Sequence, residues 1–280
     1  MSHDLEANSS SRPLALVTGA SAGIGLAYAE RLALDGWNLV VTGRRQQRLD
    51  ELAQRLGVEH GAEVEPVAAD LATPEGQDLV NGLCRDRELE LLVNNAGVAH
   101  YKQFRDLTAA ELRELLDVNV LALTTQAHTA AHGMVARGRG AIVNFASMLG
   151  FSDSAALPFF PKRVVYASTK SYVIMFSRLL AEELAGTGVK VQVVCPGVVR
   201  TEFHSRQAID MTNVPRMDAN DVVQASLGAL EKGEVVCIPG LEDPGALTKR
   251  DAAQSELLQV AGKPDLAQRY RDAGRADGPR

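Results

Sequence analysis

LALVTGASAGIG, Leu14 to Gly25, joins a short apolar run to an amphipathic segment through a glycine-rich turn. The run Leu14–Thr18 is apolar and closed by glycine, which reads as a buried strand, and the mixed polarity from Ile24 onward reads as a helix. Gly19, Gly23 and Gly25 let the backbone come close to a bulky anion, and the N–H groups at the start of the helix attract one. The turn therefore reads as a cradle for a dinucleotide pyrophosphate. Its spacing is G-x-x-x-G-x-G rather than G-x-G-x-x-G, so the generic fingerprint is not met literally and a plain tight turn is the competing reading.

The same alternation recurs along the chain. Apolar runs at Leu14–Thr18, Asn38–Thr42, Val64–Ala68, Leu89–Val93, Ala141–Ala146, Val189–Val194 and Val235–Ile238 are separated by helical patterns near 24–35, 45–56, 75–86, 108–134, 164–185 and 218–231. This predicts an α/β fold, a Rossmann-like doubly wound parallel sheet of about seven strands with helices on both faces. It is expected as a single domain over 13–245, with 1–12 a disordered polar tail and 246–280 a peripheral segment. In such sheets ligands lie beyond the carboxyl ends of the strands, so the residues after each strand are the ones to search.

Composition narrows the classes. The chain has 280 residues, 46% of them hydrophobic, and a formal net charge of -6. That is enough to bury a large core, and an acidic balance argues against a nucleic-acid partner held through phosphates. Cys84, Cys195 and Cys237 are odd in number and far apart, so neither a disulfide framework nor a thiolate metal site is expected. His128 and His132 lack the Glu of H-E-x-x-H, and no metal is expected there. No apolar stretch approaches the ~20 residues of a membrane span and no leader peptide is evident, so a soluble, cytoplasmic protein is expected.

After the second strand comes Thr42-Gly43-Arg44-Arg45, where an acidic residue would hold the ribose hydroxyls of NAD. Arginines there suit the 2′-phosphate of NADP, although they also suit an exposed helix start. Asp70, after the third strand, could accept from an adenine amino group or cap the next helix, a role for which Thr73 competes. Asn94-Asn95-Ala96-Gly97 follows the fourth strand as a structural turn, a cofactor contact, or both. Asn119 lies in the apolar run LLDVNVLAL, where an unpaired amide would cost roughly 1–3 kcal/mol, so a polar partner must meet it. Ser147 follows the fifth strand, and Cys195-Pro196-Gly197-Val198-Val199-Arg200-Thr201 the sixth. Glu202 to Met217 has weak periodicity and reads as a mobile lid.

In YASTK, Tyr166 to Lys170, four positions make slightly more than one helical turn and place both end residues on one face. An ammonium about 4 Å from a phenolate would be worth roughly 4 kcal/mol, or roughly three pKa units, bringing the phenol near neutrality. A phenol so tuned is a general acid or base. The plain alternative is an exposed helix pair. Separately, Gly19-Ala20-Ser21-Ala22-Gly23 satisfies G-x-S-x-G, the nucleophile elbow of a serine hydrolase, but no histidine stands out as its base.

Together TGASAGIG, NNAG, Asn119, Ser147, YASTK and PGVVRT resemble, in content and order, the single-domain short-chain dehydrogenase/reductase family, from about Leu14 to Gly240. The resemblance implies an NADP(H)-dependent oxidoreductase that interconverts a carbonyl and a secondary alcohol. It implies that Tyr166 is the catalytic acid/base, that Lys170 lowers its pKa and holds the nicotinamide ribose, that Ser147 orients the substrate oxygen and that Asn119 holds a water for proton relay. Cofactor contacts are implied at Gly19, Ser21, Gly23, Ile24, Gly25, Arg44, Arg45, Asp70, Leu71, Asn94, Ala96, Gly97, Pro196, Val199 and Thr201. A homodimer or homotetramer is implied as well. Two departures stand out: the stretch from Ser147 to Tyr166 is longer than the family's usual one, and Ala22 replaces a basic residue often found in NADP users. The apolar residues of that longer stretch suggest a bulky or apolar substrate. A catalytically silent NADP-binding scaffold and a hydrolase using Ser21 remain the alternatives.

Overall fold

The computed structural model describes residues 12–152, 163–205, 213–262 and 264–271. All but the last residue of the expected tail, part of the long stretch before Tyr166, part of the expected lid, residue 263 and the last nine residues lie outside them.

The described residues form one parallel sheet of β1 (Leu14–Thr18), β2 (Asn38–Gly43), β3 (Val64–Ala68), β4 (Leu91–Asn94), β5 (Gly140–Phe145), β6 (Val189–Val194) and β7 (Val236–Cys237). Their order is β3-β2-β1-β4-β5-β6-β7. This is the doubly wound sheet expected. The order reverses between β1 and β4, and that crevice is where such a sheet takes its ligand.

The helices are α1 (Gly23–Leu34), α2 (Gln46–His60), α3 (Pro74–Asp86), α4 (Ala109–Leu116), α5 (Leu123–Arg137), α6 (Val164–Glu183), α7 (Glu202–Ser205) and α8 (Ala219–Glu231). On one face Tyr28 and Leu32 of α1, Leu49 and Leu52 of α2 and Val222 of α8 cover Val17, Val41, Val93 and Val143. On the other, Val80 of α3 with Ala127 and Met134 of α5 covers Leu16, Val40, Leu92 and Ile142. Successive strand residues thus alternate between two buried faces, which is why each strand reads as an unbroken apolar run. Pro66, which has no N–H to give, sits in β3 at the sheet edge.

Three of the departures from the expected boundaries have a clear local cause. The strand expected from Leu89 starts at Leu91, because the Leu89 N–H turns back to the Arg87 carbonyl at 2.9 Å. The last strand holds only Val236 and Cys237, whose partners are Val193 and Val194. The helix expected over 108–134 is three pieces. Thr108 and Glu111 cap α4 reciprocally, a wide π turn follows at Asp117–Ala122, and α5 ends at Gly138, whose φ of 67° no branched residue would tolerate. A π turn is unfavourable on its own and recurs at functional sites.

The chain divides into two compact units after Pro239. The second contains α9 (Gly245–Ala261) and α10 (Gln268–Arg271). Among the described residues no helix is long and apolar enough to cross a membrane, no cluster of His, Cys, Asp and Glu could hold a metal, and no disulfide joins the three buried cysteines.

Candidate active site

A cleft of about 750 Å³ opens over the carboxyl ends of the central strands. Gly19, Ser21, Gly23, Ile24, Arg44, Arg45, Asp70, Leu71, Ala96, Gly97, Ser147, Tyr166, Lys170, Pro196, Val199 and Thr201 all line it. The turns after β1 to β6, distant in sequence, therefore share one cavity. Asn94, Asn119 and Gly25 do not line it.

The glycine turn forms a cradle that side chains would fill. Gly19 and Gly23 take φ of 69° and 59°, and a Cβ on Gly23 would lie 3.0 Å from the Thr201 side chain. Gly25 has ordinary dihedrals, yet a Cβ there would lie 2.5 Å from the Gly19 carbonyl oxygen, so it permits α1 to approach the turn rather than touching the cleft. Ala22, at the N-cap of α1, gives no side-chain oxygen to the first-turn N–H groups. Those donors face the cleft with the positive end of the helix behind them, and they fit a pyrophosphate.

Basic groups follow β2 as expected, and they are already engaged. Arg45 donates from Nε and Nη2 to Ser21 Oγ at 3.4 and 3.1 Å, and from Nη2 to the Ser21 carbonyl at 3.0 Å. Arg45 Nη1 and Arg48 Nη1 donate to the two carboxylate oxygens of Glu202 at 3.1 and 2.7 Å. Arg44 is half exposed and faces Glu114 at 3.6 Å. The donors suit the 2′-phosphate of NADP, and Glu202, the first residue of the expected lid, competes for two of them. These contacts also dispose of the nucleophile elbow. The partner of Ser21 is a guanidinium, which cannot accept a proton.

Asp70 lines the cleft while its Oδ1 accepts from Ala72 N at 3.1 Å, and Thr73 caps α3 by accepting from Gly76 N at 3.1 Å. Asn94, expected at the cofactor, is turned inward. It ends β4 opposite Asn144, and its Nδ2 donates to Asn144 Oδ1 at 2.9 Å and to the Leu123 carbonyl at 3.3 Å. Strand alternation puts the next residue on the other side. Asn95 lines the cleft and donates from Nδ2 to the Thr18 carbonyl at 2.8 Å, while Thr18 Oγ1 accepts the N–H groups of Asn95 and Ala96, each at 3.0 Å. This clamp holds the ends of β1 and β4 together at the switch point.

Asn119 is wholly buried in the π turn. Its Oδ1 accepts from Val98 N at 2.9 Å, and its Nδ2 donates to Val98 O at 2.9 Å and to Thr169 Oγ1 at 3.2 Å. The polar partner that the apolar run demanded is thus a backbone group. The side chain ties the loop after β4 to α6, behind the cleft wall, and does not itself reach the cavity.

Tyr166 and Lys170 share a buried face of α6, and Ser147, two residues beyond the end of β5, stands opposite. Ser147 Oγ accepts from Leu149 N at 3.2 Å, which leaves its proton to be donated elsewhere. The electrostatics correct the expectation of a phenol near neutrality. Burial pushes Tyr166 up to about 12, nearby Tyr101 adds to this, and Ser147 and Arg163 act the other way. Burial pushes the Lys170 ammonium down to about 8. Lys170 Nζ donates to the Phe145 carbonyl at 2.9 Å and lies 5.8 Å from the Tyr166 ring centroid. Desolvation therefore outweighs the charge attraction.

Several lining residues had no signal in the sequence. Arg163 and Phe203 face the cleft next to Tyr166, joined by Met148, Leu149 and Phe151. The long stretch after Ser147 marked the region, but only folding selects which of its side chains turn inward.

Residues 13–211 match the family model described as short chain dehydrogenase. The chain is 36% identical over 194 residues to sulfoacetaldehyde reductase 2 of Chromohalobacter salexigens, covering 68% of this chain and 74% of that one. It spans 60% of the length of other curated relatives it matches. Among solved structures, a short-chain dehydrogenase from Sphingobium yanoikuyae in complex with NADPH superposes with a TM-score of 0.87 at 38% identity, over 92% of this chain and all of that one. A bulky-bulky ketone specific alcohol dehydrogenase from Comamonas testosteroni gives 0.83 at 33% identity, over 92% and 98%. With its parallel sheet, glycine cradle and paired Tyr166 and Lys170, the chain belongs to the short-chain dehydrogenase/reductase family of oxidoreductases.

Proposed function

We propose that this protein is an NADPH-dependent reductase of a bulky or largely apolar aldehyde or ketone, running in reverse as an alcohol dehydrogenase. The observation that carries this is the meeting of Tyr166, Lys170 and Ser147 with the glycine turn in one cleft. NADPH, when bound, supplies the hydride that the carbonyl carbon takes up. The Tyr166 phenol delivers the proton to the carbonyl oxygen, and the Ser147 hydroxyl donates to the same oxygen as negative charge develops on it. Lys170 would hold the nicotinamide ribose. The first turn of α1, with Gly19, Ser21, Gly23 and Ile24, would hold the pyrophosphate, Arg44 and Arg45 the 2′-phosphate, and Asp70 and Leu71 the adenine.

Support for the cofactor comes from the basic pair after β2 and from the NADPH in the Sphingobium structure. Support for the substrate class comes from the walls, where Leu149 and Phe203 pack with Tyr166 and Met148, Phe151 and Val198 line the same cleft, and from the ketone named for the Comamonas protein. Leu121, Tyr172, Met175 and Leu179, exposed along α6 and the π turn, suit a homodimer or homotetramer built through these helices.

The test is a panel of aryl and alkyl ketones and aldehydes offered with NADPH and NADH, to wild type and to Tyr166→Phe. Turnover is expected with NADPH and bulky carbonyls and lost by roughly 100-fold or more in the variant. Full turnover in Tyr166→Phe removes the assigned role. Tight NADPH binding with no reduction across the panel would mark the protein as a silent scaffold.

A further inference from the structure

Arg163, the residue before α6, is only 8% exposed and lines the cleft. Its guanidinium carbon lies 3.6 Å from the centroid of the Tyr101 ring, so an aromatic surface covers one face of the cation. Its Nε is enclosed and has no acceptor. Arg44, Arg45, Arg48, Arg55, Arg87 and Arg139 each face a carboxylate, whereas no described carboxylate pairs with Arg163. What sets Arg163 apart is that it combines burial, a place in the cleft wall and the lack of any described carboxylate partner.

A guanidinium removed from water without a counter-ion is unfavourable unless an anion completes it, and its planar fork of N–H donors matches the two oxygens of a carboxylate. Tyr101 covers a face of the guanidinium and its hydroxyl takes a side-chain hydrogen bond from it, but a neutral phenol leaves the charge uncompensated and Nε without an acceptor. Arg163 lies three residues before Tyr166 in the same cavity, so a group held at its edge is close to the carbonyl oxygen that Tyr166 would protonate. We propose that Arg163 is a subsite for a carboxylate borne by the substrate, with the apolar walls receiving the rest of the molecule. The preferred substrates are then keto or aldehydo acids with a bulky apolar part, rather than neutral ketones or small acids. This deepens the reductase reading and rests on it.

The experiment uses the full chain, NADPH and matched pairs: benzoylpropionic, benzoylbutyric and benzoylvaleric acids against their methyl esters. Wild type is expected to favour at least one acid over its ester by roughly tenfold or more in kcat/KM, mostly through KM, as a charge-assisted hydrogen-bonded pair would give. In Arg163→Met that ratio falls to about 1, and Arg163→Lys keeps part of it. An acid-to-ester ratio of about 1 or less across the wild-type series, or a ratio unchanged in Arg163→Met, overturns the subsite. If the methionine variant does not fold, the wild-type ratios and the lysine variant still decide. Calorimetric binding of the acids to the NADPH-saturated protein separates the two readings. Arg163-dependent binding without any reduction keeps the subsite and sinks the reductase assignment. Reduction of acid and ester alike does the reverse.

Discussion

Lys170 Nζ donates to the carbonyl oxygen of Phe145, the last residue of β5, at 2.9 Å. The ammonium is thus anchored by the end of a strand as well as by its own helix, which places it over the switch side of the sheet. Anchoring there has an electrostatic cost, since burial lowers its pKa from 10.5 to about 8.

That shift predicts a stability change with a definite sign. Between pH 8 and 10.5 the unfolded chain holds a proton at Lys170 that the folded one has released, so stability rises with pH across this window. Relative to Lys170→Met, cofactor-free wild type should gain up to about 3 kcal/mol between pH 8 and pH 10.5 in urea denaturation. No difference in slope between the two proteins would mean that the ammonium is not desolvated.

Tyr166, pushed up to about 12, predicts different pH profiles for the two directions. Carbonyl reduction needs the phenol and should be insensitive to Tyr166 between about pH 6 and about pH 9, whereas alcohol oxidation needs the phenolate and should climb roughly tenfold per pH unit. The profile of kcat/KM reports the free enzyme, so it is the quantity to plot. An oxidation profile flat over that range would show that the phenol titrates elsewhere.

Glu202 bridges Arg45 and Arg48 from the start of α7. Because the carboxylate is partly exposed, each pair is worth at most about 1 kcal/mol. Glu202→Gln should therefore tighten NADPH by roughly two- to fivefold, leave NADH nearly unchanged, and flatten the salt dependence of the difference. Fluorescence titration of both nucleotides measures this. Equal effects on NADPH and NADH would show that these arginines do not face the 2′-phosphate.

Asn119→Leu removes three hydrogen bonds and leaves both backbone groups of Val98 without their partner. A loss of about 2–4 kcal/mol is expected in chemical denaturation, since each abandoned buried group costs about 1–3 kcal/mol. Asn119→Asp should be milder, because one carboxylate oxygen can still accept from Val98 N. A leucine variant as stable as wild type would mean that the π turn does not depend on this amide.

Most of the sheet and the identity of the turns around the cleft were legible in residue order alone, because the relevant signals are local. An apolar run closed by glycine specifies a strand end, and strand ends of a doubly wound sheet converge on one edge whatever lies between them. Tyr166 and Lys170 share a face for the same kind of reason, a helical period. What folding alone decided depends on direction and dielectric. Strand pairing with Asn144 turned Asn94 inward and left Asn95 at the cleft. Burial raised the Tyr166 pKa that charge spacing suggested would fall. Contacts between residues 157 positions apart set Glu202 on Arg45. Local sequence encodes periodicity, but which side a residue faces, and how much water remains around it, is known only once distant segments have packed against it.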